Sequence, residues 1–391
     1  METPLKLAYV ALPLGASHGW GICGRYITRE LARAVSVRLI TDRLELDLVG
    51  DPVELAALRT LLAPDDLQPS GPAAQVVEHP VLQGVPGPDL APMRPRLRGP
   101  RNVGYAFFEN TAFAPASIEN ARKHYDVLAT GSSWCTEILR QHGLADVQTV
   151  VQGVDPTIFH AVPNGREFFD DRFVVFSGGK FGLRKGQDLA IAAFKVLHER
   201  HENVVLVTSW FNQWPASMRT MRASPYIRFA PPAGPLEYRT LIDGVLAANG
   251  VDATRAIHLG PLPNPLMARI YRNSDVGLFP SRCEGGTNLV LMEYMACGRP
   301  PIASFGSGHK DVLTGENSLR LERLRQATVR DADQPPKIWH DADLEEIVEK
   351  LEWAYQNRGR LAEIGARAAQ DMTRFTWAAT ARGFLELLSA E

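Results

Sequence analysis

The sequence predicts an α/β protein of two domains, each built on a parallel sheet covered by helices. Three observations lead there. The 391 residues exceed what one hydrophobic core usually supports. Short runs rich in Val, Ile and Leu alternate with helix-length segments, the pattern of strands buried on both faces. A turn-rich stretch from Gly153 to Gly165, with Pro156 and Pro163 inside it, divides those runs into two series.

Taken in order, the first series places strands at Lys6 to Leu12, Val37 to Thr41, Gln75 to Glu78, Asn102 to Phe108, Tyr125 to Thr130 and Val147 to Gln152. Between them, Ala63 to Arg101 is dense in Pro, Gly and Arg and reads as surface loops. The second series places strands at Phe173 to Ser177, Val204 to Ser209, Ala256 to Leu259, Asp275 to Pro280 and Pro301 to Ser304. From about Leu344 the chain reads as helix to its end, with Asp341 or Asp343 as N-cap.

Composition narrows the function classes. Lys and Arg total 42 against 44 Asp and Glu, so no global charge draws the chain to nucleic acid or an anionic membrane. Cys23, Cys135, Cys283 and Cys297 form no CxxC pair and read as reduced structural thiols. The apolar run Leu5 to Leu14 is broken by Lys6 and Pro13 and is too short for a signal peptide or a span, so a cytoplasmic location is expected.

The strongest chemical signal follows the strand ending at Pro280. Glu284-Gly285-Gly286-Thr287-Asn288 runs into the apolar stretch Leu289 to Cys297, which carries Glu293. Two glycines permit close backbone approach, and Thr287 or Asn288 can cap the helix. A helix N-terminus beyond a strand's carboxyl end offers N–H groups to a phosphate. Two readings of Glu293 stay open: a ligand's vicinal hydroxyls hydrogen-bond it, or a core Lys, Arg or backbone donor does. Glu284 is likewise a ligand acid or an ordinary loop acid.

A second signal is Gly178-Gly179-Lys180 with Arg184, Lys185 and Gly186, where a strand gives way to a helix starting near Gln187 or Asp188. Cations there suit a diphosphate, or form a solvated basic turn. Lys185 is followed by Gly, not Ser or Thr, which disfavours a P-loop ATPase.

A third is the loop after the first strand, where Gly19, Gly21 and Gly24 fit GxGxxG and raise a dinucleotide reading, with Asp42, Glu45 and Asp47 crowding the expected acid. His18 in that loop is a proton carrier, a substrate contact or neither. The triplets Asp331 to Asp333 and Asp341 to Asp343 are explained by helix capping and solvation, and no metal is assigned. Arg94, Arg96, Arg98 and Arg101 form a basic loop, solvated or in peripheral contact with a membrane.

In this order the pieces resemble the retaining glycosyltransferases of family 4 over nearly the whole chain. The resemblance rests on the loop ending near Gly24, Tyr125 to Thr130 with Ser133-Trp134, and Gly153-Val154-Asp155 with Phe159. It continues through Gly179-Lys180 with Lys185-Gly186, Leu259-Gly260, Phe279-Pro280-Ser281, Glu284 to Pro300, and Phe375-Thr376-Trp377. It implies the GT-B architecture, two facing Rossmann-like domains with a cleft between them. An acceptor domain would span residues 1–162 and a donor domain 163–375, with the last helix, 376–391, rejoining the first.

The implied activity is metal-independent, retaining transfer of a sugar, of hexosyl type, from a nucleoside diphosphate, UDP favoured, to a hydroxyl acceptor, with no cofactor. Position by position, the resemblance implies that Lys185 and Lys180 bind phosphate and that Glu284 holds hydroxyls of the transferred sugar. Glu293 would hold the ribose hydroxyls, and N–H groups near Asn288 and Leu289 would face the diphosphate. Eight residues separate the two acids where the family usually has seven, so the loop bulges. The family's histidine is missing after Phe107-Phe108, leaving Glu109 or His18 to take its place. A catalytically silent nucleotide-sugar-binding protein and an NAD-linked oxidoreductase are the rival readings.

Overall fold

The computed structural model describes residues 5–16, 18–41, 52–64, 75–163, 165–212, 215–231, 237–330 and 335–390. Asp42, Glu45, Asp47 and the triplet Asp331 to Asp333 lie outside them.

The first half runs β1 (Leu7–Ala11), α1 (Gly19–Ala32), β2 (Ser36–Leu39), α2 (Pro52–Arg59), β3 (Gln75–Val76) and β4 (Val81–Val85). It continues through β5 (Leu97–Arg98), β6 (Asn102–Ala106), α3 (Pro115–His124), β7 (Val127–Thr130), α4 (Ser133–Gln141) and β8 (Val147–Thr149). Six of these strands form a parallel sheet in the order β2-β1-β4-β6-β7-β8.

The stretch expected to be loops from Ala63 to Arg101 thus supplies β4, a buried strand between β1 and β6, and this corrects the sequence reading. Its five residues Val-Leu-Gln-Gly-Val stand between Pro80 and Pro86 and contain a Gln and a Gly, which hide the apolar run. Inside the fold the Gln83 side-chain oxygen accepts the Arg94 N–H at 3.1 Å, while its Nε2 is buried without a hydrogen-bond partner. The expected strand at Gln75 to Glu78 belongs to a separate two-stranded sheet, β3 with β5.

The second half runs β9 (Phe173–Gly179), α5 (Gln187–Arg200), β10 (Val204–Trp210), α6 (Tyr238–Ala248), β11 (Ala256–His258), α7 (Met267–Arg272), β12 (Val276–Phe279), α8 (Leu289–Ala296), β13 (Pro301–Ser304) and β14 (Leu319–Leu321). Next come the antiparallel hairpin β15 (Leu324–Val329) and β16 (Lys337–Ala342), then α9 (Leu344–Gln356), α10 (Arg358–Met372) and α11 (Trp377–Ser389). Its six-stranded sheet is parallel, in the order β11-β10-β9-β12-β13-β14. Asp343 caps α9 by accepting the Glu346 N–H at 3.1 Å. Asp341 is instead an ion-pair partner of Arg282.

In both sheets the strand order reverses beside the first strand, between β1 and β4 and between β9 and β12. Loops leaving the carboxyl ends of strands at such a switch point form a crevice. The Lys180 to Lys185 loop follows β9 and the Glu284 loop follows β12, so topology alone brings the two strongest sequence signals together. The last helix, α11, packs Trp377, Ala381, Phe384 and Leu388 into the core of the first half. Val154 and Phe159 pack in a core of the second half.

Candidate active site

The loop after β9 closes with Gly186 in the left-handed region, φ 72°. A side chain there would put its Cβ 2.1 Å from the Pro280 carbonyl oxygen, so only glycine lets this loop sit against the end of β12. A buried ion pair fastens the same junction. Arg282 makes a bidentate pair with Asp188, both bonds 2.8 Å, and its Nε reaches Asp341 at 2.6 Å. The Arg282 backbone N–H also donates to the Arg184 carbonyl at 2.7 Å. A planar five-donor fork suits this three-way task, which an ammonium could not copy.

On that scaffold Glu284 is enclosed by donors. Lys185 Nζ lies 2.7 and 2.8 Å from its two oxygens, Arg184 Nη1 3.0 Å from one, Ser281 Oγ 2.6 Å and Asn288 Nδ2 3.2 Å from the other. Burial alone would raise the Glu284 pKa, but Lys185 and then Arg184 override it and hold it down to about 2. Glu284 is therefore a fixed anion inside a cationic nest and not the solvated loop acid. Lys180 completes the group: burial, then the Arg184 and Lys185 charges, lower its pKa to about 8 against the pull of Glu109 and Glu284. Glu109 reaches in from the first half and pairs with Arg184 Nη1 at 3.3 Å.

Two groups absent from the sequence reading support this nest. His309 lies 3.2 Å from Asn288 Nδ2 through Nε2 and 3.1 Å from the Ser304 carbonyl through Nδ1, which assigns the Nδ1–H tautomer. Burial lowers its pKa to about 4, so it is neutral. Ser307 accepts the Glu284 N–H at 2.8 Å.

Glu293 follows in the helix after the Glu284 loop. It is buried in α8, accepting from Asn264 Nδ2 at 2.7 Å and from the Tyr271 hydroxyl at 3.0 Å. Burial raises its pKa to about 7, against the stabilising effect of these two donors. Its holders are neutral residues from the segment after β11, not a core Lys or Arg.

The bulge between the acids has a structural answer. Gly285 and Gly286 pack against the first half, where a Cβ on either would lie 2.4 Å from the Phe108 carbonyl oxygen or from Gln152 Oε1. Ser132 Oγ donates to the Gly285 carbonyl at 2.8 Å, and the Thr287 N–H to Gln152 Oε1 at 3.1 Å. Gly285, Gly286 and Thr287 thus lie at the contact between the two halves. Asn288 does occupy the N-cap of α8 but with φ 64° and no side-chain cap bond, because its amide is turned to Glu284 and His309. Leu289 packs into the core of the first half.

The glycine loop is also corrected. Gly19, Gly21 and Gly24 lie inside α1, where a Cβ on Gly24 would lie 1.9 Å from the Pro13 carbonyl oxygen and one on Gly21 2.6 Å from Gly15. Gly21 and Gly24 serve close packing of α1 on the segment after β1, and the helix beginning at Gly19 removes the turn that a dinucleotide fingerprint needs. His18 caps that helix by accepting the Gly21 N–H on Nδ1 at 3.0 Å. Burial and then Lys180 lower its pKa to about 4. Of the basic loop, Arg98 donates to the His124 carbonyl at 2.7 Å and Arg101 to the Leu387 carbonyl at 2.6 Å, each at a helix C-terminus, where a cation is favoured.

Residues 172–332 match the model of the family described as Glycosyl transferases group 1. This segment is thus similar to the glycosyl transferases group 1 family. Among curated proteins, the D-inositol 3-phosphate glycosyltransferases of Rhodococcus jostii and Nocardia farcinica are each 31% identical to this chain, over 135 and 145 residues. Those matches cover 34% and 37% of this chain, and they span only 26% and 28% of the relatives' own lengths.

Over the whole length, sucrose-phosphate synthase from Thermosynechococcus elongatus superposes with TM-score 0.67 at 15% identity, covering 98% of each chain. Anabaena HepE, solved with UDP and glucose, superposes with TM-score 0.66 at 14% identity over 99% of this chain and 100% of its own. The chain therefore has the GT-B fold. The group 1 segment contains Lys180, Arg184, Lys185, Glu284 and Glu293, whereas Glu109 and His18 lie outside it. Among the described residues, no helix is long and apolar enough to cross a membrane.

Proposed function

We propose that the protein is a glycosyltransferase of hexosyl type that moves a sugar from a nucleoside diphosphate, UDP by preference, to a hydroxyl acceptor with retention and without a metal. The observation that carries this reading is the convergence of Lys180, Arg184 and Lys185 around Glu284 at the switch point of the second sheet.

Departure of a diphosphate needs fixed positive charge where negative charge grows. Lys185 gives two of its three N–H groups to Glu284, which leaves one for a phosphate oxygen. Lys180 supplies a second charge. Glu284, ionised at any physiological pH, keeps acceptor capacity for sugar hydroxyls. Glu293 would hold the ribose.

In the step itself the bond between the anomeric carbon and the diphosphate oxygen breaks and its electron pair leaves with the diphosphate. The acceptor oxygen bonds the same face of that carbon, and its proton passes to the departing diphosphate. His18 and Glu109 are then substrate-side groups and not obligatory bases. Closure of the two halves over the donor would limit hydrolysis.

The test is a thermal-shift screen of nucleoside diphosphates and their sugars, since a ligand of the folded state raises the midpoint by mass action. NMR of the anomeric configuration formed with a simple hydroxyl acceptor, with and without a chelator, would follow. No stabilisation by any nucleoside diphosphate, or inversion at the anomeric carbon, would overturn the reading.

A further inference from the structure

Between β14 and α9 the second half carries the hairpin β15–β16, which reaches the first half of the chain. Trp339 Nε1 donates to the Glu109 carbonyl at 2.9 Å, and the Ile338 N–H donates to Thr111 Oγ1 at 2.9 Å. At its other side the hairpin is bound to the nest, because the His340 N–H donates to the Arg282 carbonyl at 3.0 Å and Asp341 pairs with Arg282. The hairpin thus clamps the Glu109 backbone relative to the loop that carries Glu284. The consequence is at the Glu109 carboxylate, which lies 3.3 Å from the same Arg184 Nη1 that contacts Glu284 at 3.0 Å.

We infer that Trp339 is a positioning residue that acts through Glu109, holding a second carboxylate on Arg184 and so weakening the grip of the cation nest on a diphosphate. The inference rests on the diphosphate reading of that nest. Lys180, Arg184 and Lys185 carry three positive charges, and Glu284 cancels one permanently. Glu109 cancels a second, and it is the one that comes from the other half and so depends on the clamp. A nest that bound its diphosphate product with all of its charge would release it slowly. Trp339 and Thr111 touch no reacting atom; their effect is to keep Glu109 in place.

The test compares the unaltered chain with Trp339→Phe, Thr111→Val and Glu109→Gln by calorimetric titration of inorganic pyrophosphate and of UDP. Loss of a structural contact would weaken binding. Release of Glu109 instead strengthens it, and each variant should bind pyrophosphate about three- to fivefold more tightly, as befits a partly exposed charge pair. Trp339→Phe in the Glu109→Gln background should add nothing, because both act on one interaction. Weaker or unchanged binding in Trp339→Phe and Thr111→Val overturns the inference, as does a Trp339→Phe effect that persists in full beside Glu109→Gln. Absence of pyrophosphate binding in the unaltered chain also overturns it. Binding without any sugar transfer overturns the transfer reading alone and leaves this comparison decisive.

Discussion

The Lys185 ammonium sits 2.7 and 2.8 Å from the two oxygens of Glu284, with Glu284 buried and Lys185 largely so. Neither charge is tolerable there without the other. Lys185→Ala should therefore do two things: lower UDP affinity at least about tenfold, and destabilise the fold by roughly 2–3 kcal/mol, Arg184 sparing part of the full cost of a broken pair. Glu284→Ala placed on top of it should return part of the lost stability while restoring no affinity. Thermal unfolding and UDP titration of the three variants check this, and simple additivity would refute the coupling.

One step further out, Arg282 holds Asp188 and Asp341 together. Arg282→Leu leaves Asp188 buried and unpaired, a change expected to cost about 3–5 kcal/mol. Arg282→Lys should recover little, since a point charge cannot reproduce the fork. Both variants should lose transfer activity more than proportionally, because the Arg282 guanidinium also donates to the Leu183 carbonyl, in the loop that carries Arg184 and Lys185. Denaturant unfolding read beside turnover would show it.

How much of this was legible follows from the kind of signal each residue carries. Strands β9, β10, β12 and β13 are buried on both faces and spell unbroken apolar runs, so they stood out. β4 did not, because Gln83 and Gly84 break the run and only the tertiary partner Arg94 explains the glutamine. Lys185 and Glu284 were each recognisable from local motifs, but their contact spans 99 positions and follows only from strand order. Asn264, Tyr271, Gln152 and His309 are single polar residues in ordinary surroundings, and nothing local marks them. The hairpin does leave a trace: Leu324 to Val329 and Lys337 to Ala342 mix polar and apolar residues in short strand-length runs, a weaker signal than the continuous apolar strands beside them.

Glu293 separates a structural role from a ligand role through pH. Its pKa rises from 4.5 to about 7 on folding, so the folded state binds the proton more tightly than the unfolded one. Its contribution to stability is full below pH 4.5 and is lost as pH climbs through about 7. Glu293→Gln cannot ionise and should flatten the stability profile over that window, leaving it at least as stable at pH 8. UDP affinity should nevertheless fall about tenfold if the carboxylate holds ribose hydroxyls. Retained affinity would assign Glu293 to the fold alone.

Lys180 gives a second pH signature. With its pKa lowered to about 8, it is charged below that value and neutral above it. Affinity for pyrophosphate should hold at pH 6.5 to 7.5 and decline as pH rises through about 8. Lys180→Arg should bind as well at neutral pH and lose the decline, because a guanidinium stays protonated. A decline that persists in the variant would place the titrating group elsewhere.

The two glycines after Glu284 should respond differently to the same methyl group. On Gly285 a Cβ meets the Phe108 carbonyl oxygen and amide nitrogen at 2.4 and 2.7 Å, all backbone, so the halves must move apart. On Gly286 the nearest atom, also at 2.4 Å, is the end of the Gln152 side chain, which can rotate away at the loss of its bond to the Thr287 N–H. Gly285→Ala should cut transfer more than about tenfold and Gly286→Ala only a few fold, the latter near the cost of one hydrogen bond. Gly244→Ala is the control, because no atom lies within 4 Å of its added Cβ in α6 and a helical alanine should add roughly 0.5–1 kcal/mol of stability. Equal losses at 285 and 286 would mean that the loop serves the ligand and not the contact between halves, since a diphosphate would feel either methyl alike.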